Sequence, residues 1–338
     1  MTSNQDMWRR AAVVLCAAAA MTGPGHPAGA SAGTPPTALV YVADLHADTV
    51  SVVDPAAGGV VDAVPVGSGP DSVAVSPDGS RVYVTDSAAD TVSVIDARSR
   101  KVIATVPVGD EPSRVTVSPD NEHVYVANVA SDTVSVIDAH TRTVTDTIAV
   151  GHAPLGVAVT PDGCTLYVAN AASGTVSVVR TATAAVTGTI PVGSGPTALV
   201  LTPDGRHLYV SNLSSDDVSV VDVRAGVEAD RIPVGVQPAG IGVLPDGGRV
   251  YVANIGSDNV SVISTRARAV TDTVAVGHGP NGLAVGPDGS RVYVSNFDSD
   301  TLSVIDASTD RVRDTVPVGD GPTGVAASPG RPGRPGRP

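Results

Sequence analysis

The sequence predicts an all-β fold, a seven-bladed β-propeller of four-stranded antiparallel blades, on three observations. A 42-residue unit repeats without insertion or deletion over residues 36–328. Each unit is a run of Val-rich segments broken by tight-turn residues, which suits pleated strands and not helices. The first and last units are incomplete in complementary ways, as a closed ring requires.

The period is set by the tyrosines. Tyr41, Tyr83, Tyr125, Tyr167, Tyr209, Tyr251 and Tyr293 are each 42 residues apart, each is followed by Val, and the third residue on is always Asp or Asn. A T/D/N-V/L-S-V phrase, a G-x-x-P phrase and a Pro-Asp-Gly turn recur at the same interval, with Asn121 in place of Gly in one turn. Within one unit, Val115–Val117 reads as a first strand and Pro119-Asp120-Asn121 as a turn that presets φ and then allows φ > 0. Val124–Asn128, Thr133–Ile137 and Val144–Val150 complete a meander. Such a sheet has two apolar faces and buries them only by stacking on like sheets around an axis.

The first unit begins at its second strand, Ala38 to Ala43, and the last ends at its first strand, Thr323 to Ala327. The C-terminal strand is therefore expected to become the innermost strand of the N-terminal blade, leaving no open edge. A parallel β-helix is excluded by the hairpin turns. A WD40 repeat is excluded because the only Trp, Trp8, precedes the repeats.

Composition bounds the function. The net charge is -13 and Lys101 is the only lysine, so the composition argues against a nucleic-acid partner. Arg9-Arg10 followed by the apolar run Ala11 to Met21 and by small residues reads as a secretory signal within residues 1–32, with residues 33–35 as a short linker. No later apolar run approaches the ~18 residues of a membrane-spanning helix. Residues 329–338 read as a disordered Gly-Arg-Pro tail. The expectation is a secreted, extracytoplasmic, monomeric propeller.

The phrase Tyr-Val-Ala/Ser/Thr-Asn/Asp, with Thr-Val-Ser-Val-Ile-Asp and Pro-Asp-Gly, resembles the YVTN family of seven-bladed propeller repeats described from microbial surface-layer proteins. The resemblance covers residues 36–328 and implies a binding or surface-assembly protein outside the cytoplasm. The wider set of seven-bladed propellers includes lactonases and lyases, so the resemblance also leaves an enzyme in play.

Repeated residues are framework, so a site should use positions where the units differ. The G-x-x-P loops and the loops after each Asx should share one face, around the channel mouth, where propeller ligands usually bind. The exceptions there are His46, Asp71, Arg114, His152, Gln237, His278, Asn281, Phe297 and Asp298. Arg114 stands where most units have Gly or Ala. It reads either as a guanidinium that holds a carboxylate or as a surface Arg paired with Asp71 or Glu111. Phe297 reads as a packed apolar contact. His46, His278, Asn281, Phe297 and Asp298 form a cluster between the seventh and first blades.

No cofactor or metal site is expected. The histidines are scattered, and the Asx-to-Asp loops lack a calcium-loop Gly and Glu, reading instead as Asx turns. No G-x-S-x-G phrase or other catalytic residue is legible, and Cys164 sits in a turn on the far face. The functional expectation is a binding or interaction module whose protein or cell-envelope ligand meets Arg114, His46, Asp71, His278, Asn281, Phe297 and Asp298. The alternatives are a lactonase- or lyase-like enzyme at the same face, or a purely structural surface-layer component.

Overall fold

The computed structural model describes residues 38–329, and the signal and tail readings lie outside them. Among the described residues the chain forms seven separate four-stranded antiparallel sheets. Blade 2 is typical: β4 (Pro70–Val75), β5 (Arg81–Asp86), β6 (Thr91–Asp96) and β7 (Lys101–Pro107) run outward in sequence order. In blade 1 the order is β28 (Pro322–Ala327), β1 (Val40–Asp44), β2 (Thr49–Asp54), β3 (Gly59–Pro65). The last strand pairs antiparallel with the first, Val40 opposite Ala327 and Val42 opposite Val325. The ring closes as the incomplete terminal units predicted. Two further bonds pin the closure: Leu39 N–H donates to Ser328 Oγ at 2.9 Å, and Ser328 N–H donates to Leu39 O at 2.8 Å.

Stacking supplies the core. One buried cluster joins Tyr83, Val92 and Val94 of blade 2 to Val115, Val124, Val126 and Ile137 of the next blade. Each Val buried in this way contributes on the order of 1.5 kcal/mol. The outermost strands are the exposed edges. The register shifts at the same place where every third strand meets its fourth, for example between Val94 and Ile95, so a bulge twists each edge away from further pairing.

The repeated Gly, Asx and Ser, joined by Thr in five blades, form one knot at the mouth end of each blade. In blade 4, Gly151 N–H donates to Asn170 Oδ1 at 3.1 Å, and Asn170 Nδ2 donates to Thr175 Oγ1 at 3.2 Å and Ser177 Oγ at 2.9 Å. A Cβ on Gly151 would lie within 2.8 Å of that Asn side chain. The Gly is therefore fixed by the Asn packed over it. Blades 1 and 2 use Asp44 and Asp86 instead, and the hydroxyls reverse their role: Thr49 and Ser51 donate to Asp44 Oδ2 at 3.1 and 2.7 Å.

Those two carboxyls are sealed from water. Burial pushes each up to about 6, against the hydroxyl bonds that favour the charged form. The folded chain holds these protons up to about pH 6, whereas the unfolded chain releases them near the ordinary carboxyl value of 3.8. The folded state thus binds more protons across that window, and stability falls as pH rises through it. Replacing both by Asn, the residue the other five blades use, is expected to remove that decline. The gain at neutral pH should be on the order of 3 kcal/mol per site. Urea melts of wild type and the Asp44→Asn/Asp86→Asn double variant at pH 4 and pH 7 measure it, and parallel pH profiles for the two proteins would refute it.

Candidate functional site: the axial ring and its rim

The innermost strands β4, β8 (Pro112–Val117), β12 (Pro154–Val159), β16 (Pro196–Leu201), β20 (Pro238–Val243), β24 (Pro280–Val285) and β28 each touch the next, making a closed ring. Each enters the ring from a G-x-x-P loop. The residue after the Pro is polar in five blades (Asp71, Ser113, Thr197, Asn281 and Thr323) and apolar in the other two (Leu155 and Ala239). All seven are buried. The polar ones of blades 7, 1, 2 and 3 form one continuous arc.

The next position explains why the ring is so tight. A Cβ at Gly156 would stand 2.8 Å from the carbonyl oxygen of Thr197 in the neighbouring blade, and Gly240, Gly282 and Gly324 meet their neighbours' backbones in the same way. Blades touch backbone to backbone there. Hydroxyls bridge the joints: Thr85 Oγ1 donates to Ser113 O at 2.6 Å, Ser211 Oγ to Ala239 O at 2.6 Å, and Thr323 Oγ1 to Ala43 O at 3.0 Å and Pro70 O at 3.2 Å. Thr197 and Thr323 were not singled out from the sequence. Their signal was variation at the position after Pro, one residue before the position that flagged Arg114.

Arg114 occupies the Gly position of blade 3. It is 1% exposed, and Asp71 of the adjacent blade is 4% exposed. The sequence placed Arg114 at the open mouth or on the surface. The structure seals it in the ring beside Asp71, one of the two partners foreseen, because neighbouring blades close over that position. Desolvation drives the Asp71 carboxyl upward, and the Arg114 charge and the Ser113 hydroxyl draw it back. Asp71 and Arg114 are the only Asp, Glu, Lys or Arg in the seven innermost strands. A buried guanidinium can stabilise a developing oxyanion, and a carboxylate beside it can take a proton from water.

The other candidates divide. Asn281 is 2% exposed and belongs to the ring. His46, His278, Phe297 and Asp298 lie on the rim, so of the five residues expected to cluster between blades 7 and 1, Asn281 stands apart. The rings of His46 and Phe297 meet edge-on with centroids 5.4 Å apart, in line with Phe297 as a packing contact. Asp298 N–H donates to His278 O at 3.1 Å. Each rim histidine bonds an Asp: His46 with Asp320 at 3.2 Å, His152 with Asp132 at 2.7 Å and His278 with Asp258 at 2.8 Å. The Asp258 bond raises the His278 imidazole above its ordinary value. The loop Asp residues are structural, as read, but their bond is not an Asx turn. Asp132 Oδ1 accepts from Ala153 N–H at 2.8 Å and Asp258 Oδ1 from Gly279 N–H at 2.9 Å, so each clasps the loop of the following blade.

Among the described residues, the ligand atoms of Asp120, Glu122 and His123 lie within 4.8 Å of one another. That triplet is on the face opposite the mouth, where Asp120 already accepts from Glu122 N–H at 2.9 Å within its own turn. Cys164, on the same face, is an exposed free thiol. No helix among the described residues is long and apolar enough to cross a membrane.

A family model described as "Lactonase, 7-bladed beta-propeller" matches residues 30–190, 179–266 and 226–325. No curated protein matches the chain in sequence. Among solved structures, the chain is similar to a putative 6-phosphogluconolactonase from Bacteroides fragilis, with a TM-score of 0.74 at 18% identity over 88% of this chain and 100% of that one. It is similar to Kuenenia stuttgartiensis hydrazine synthase, with a TM-score of 0.69 at 25% identity over 75% of this chain and 88% of that one. It is also similar to dihydro-heme d1 dehydrogenase NirN, with a TM-score of 0.66 at 18% identity over 89% of this chain and 77% of that one. The seven-bladed part of the expectation drawn from the repeat phrase stands, and the surface-layer part rests on the phrase alone. The expectation of a binding or interaction module is overturned: the matching family is one of lactonases, and it spans the whole ring. The repeat phrase misled because every residue in it is framework shared by binding and catalytic propellers alike.

Proposed function

Since the chain belongs to the lactonase family of seven-bladed β-propellers, we propose that it is a hydrolase that opens a cyclic ester at the mouth end of its axis, using Arg114 and Asp71. The observation that carries this reading is the placement of the single cation and single anion of the innermost strands side by side on adjacent blades. Asp71 takes a proton from water as the water oxygen adds to the lactone carbonyl carbon. Arg114 donates to the carbonyl oxygen as negative charge builds there. The tetrahedral intermediate collapses, the ring C–O bond breaks, and the proton passes from Asp71 to the departing ring oxygen. The product is an open-chain hydroxy acid. Arg114 and Asp71 are 1% and 4% exposed in the resting structure, so the mouth end of the ring must open locally to admit substrate. The apolar run at Ala11 to Met21 supports an extracytoplasmic setting for the reaction.

A pH-stat screen of five- and six-membered lactones tests this. Wild type should release acid above the spontaneous rate, and Arg114→Lys should lose about 10²–10³-fold in kcat, while His46→Ala, on the rim, retains activity. No hydrolysis by wild type, or full activity in Arg114→Lys, would end the proposal.

A further inference from the structure

The face through which a substrate must enter has an uneven charge. Its loops, which join each outermost strand to the next innermost one and each second strand to its third, contain ten carboxylates, three histidines and neither Lys nor Arg. Six of the carboxylates are the clasping loop residues Asp48, Asp90, Asp132, Asp216, Asp258 and Asp300, all at positive φ. The others are Asp110, Glu111, Asp298 and Asp320. Each histidine on this face is already held by an Asp. Apart from Arg114, the described cations lie in the opposite-face turns, as Arg206 does, at the strand ends beside those turns, as Arg81 and Arg249 do, or on the outer strands, as Arg311 does.

At the axis, the one cation of the innermost strands, Arg114, is buried beside the Asp71 carboxyl. A phosphorylated or carboxylated lactone would therefore cross a rim of its own sign, with a single buried cation beyond it. A rim of one sign around a cleft raises the local concentration of the opposite sign and the rate of entry. We infer, on the lactonase reading above, that the substrate is a lactone bearing a protonated amine. Ring opening adds a carboxylate to that molecule, and the same rim then repels the new charge and favours release of the product.

Two measurements separate this inference from the reading it rests on. The first compares kcat/KM for three lactones of one ring size that carry an ammonium, a hydroxyl or a phosphate group. At ~10 mM ionic strength the ammonium lactone should lead the neutral one by about tenfold and the phosphate should trail it by as much, with the spread closing at ~300 mM salt. Preference for the phosphate, or no dependence on charge, overturns the inference. The second needs no catalysis. With Cys16→Ser and Cys164→Ser as background, Ser194→Cys places a single thiol in an exposed mouth loop. A cationic thiosulfonate reagent should label it about tenfold faster than its anionic counterpart at low salt, and Asp216→Lys should narrow the ratio. Equal labelling, or faster labelling by the anion, overturns the inference. If the labelling preference holds and no lactone is hydrolysed, the lactonase reading fails and the mouth remains a cation-selective entry.

Discussion

A chain ending at Gly319 is expected to lose its cooperative thermal transition or to melt at least about 20 °C lower. The cut removes β28, the innermost strand of blade 1, whose Val325 and Ala326 are buried and which touches both β4 and β24. It also removes the Thr323 bridges to Ala43 and Pro70 and the paired bonds between Leu39 and Ser328. The open edge of β1 would then present unpaired backbone groups beside Val40 and Val42, which are fully buried in the intact ring. The combined loss rivals the ~5–15 kcal/mol that usually holds a whole domain together. Circular dichroism melts and sedimentation velocity check it: the truncated chain should be unfolded or associated, and a peptide of residues 320–329 should restore the transition. A monomer with the parent's melting temperature would mean that the ring does not depend on its last strand.

The second large effect is at the axis. Asp71→Asn should destabilise the fold by about 3–5 kcal/mol, because it leaves the buried Arg114 guanidinium without the charge that offsets its desolvation. Asp71→Leu combined with Arg114→Met should cost much less than Asp71→Asn alone, since it removes both buried charges. Urea denaturation of wild type and the two variants gives the comparison. A double variant less stable than Asp71→Asn would show that the two residues do not act as a pair.

The ring was legible in the sequence because its physics repeats. One interval carries the Tyr that packs between blades, the Gly that must lie under an Asx, and the turn that must reach positive φ. The incomplete ends added closure. The axis was legible only in part. Arg114 announced itself as an exception to Gly, but its burial depends on how closely the next blade's backbone approaches, and no spacing within one blade reports that. The clasping Asp residues show the same limit. Their recurrence marked them as structural, yet their bonds run to the following blade, 21 residues away for Asp132 and Ala153. Asp44 and Asp86 looked interchangeable with the Asn of other blades, and in shape they are; only burial exposes the difference in charge. Function was the least legible, because what distinguishes this ring from its relatives is a handful of side chains among many shared ones.

The pairing of β1 with β28 fixes a direction as well as a seam. β1 climbs from Val40 toward the mouth and β28 descends from Pro322 away from it, so Leu39 and Ser328 meet side by side on the back of the disc. A carrier, bead or second enzyme grafted directly before Leu39 or after Ser328 would therefore trail behind the ring and leave the acidic entrance facing outward. A short linker joining Ser328 to Leu39 would let the chain be reopened in any outer turn with the order of strands in every sheet preserved.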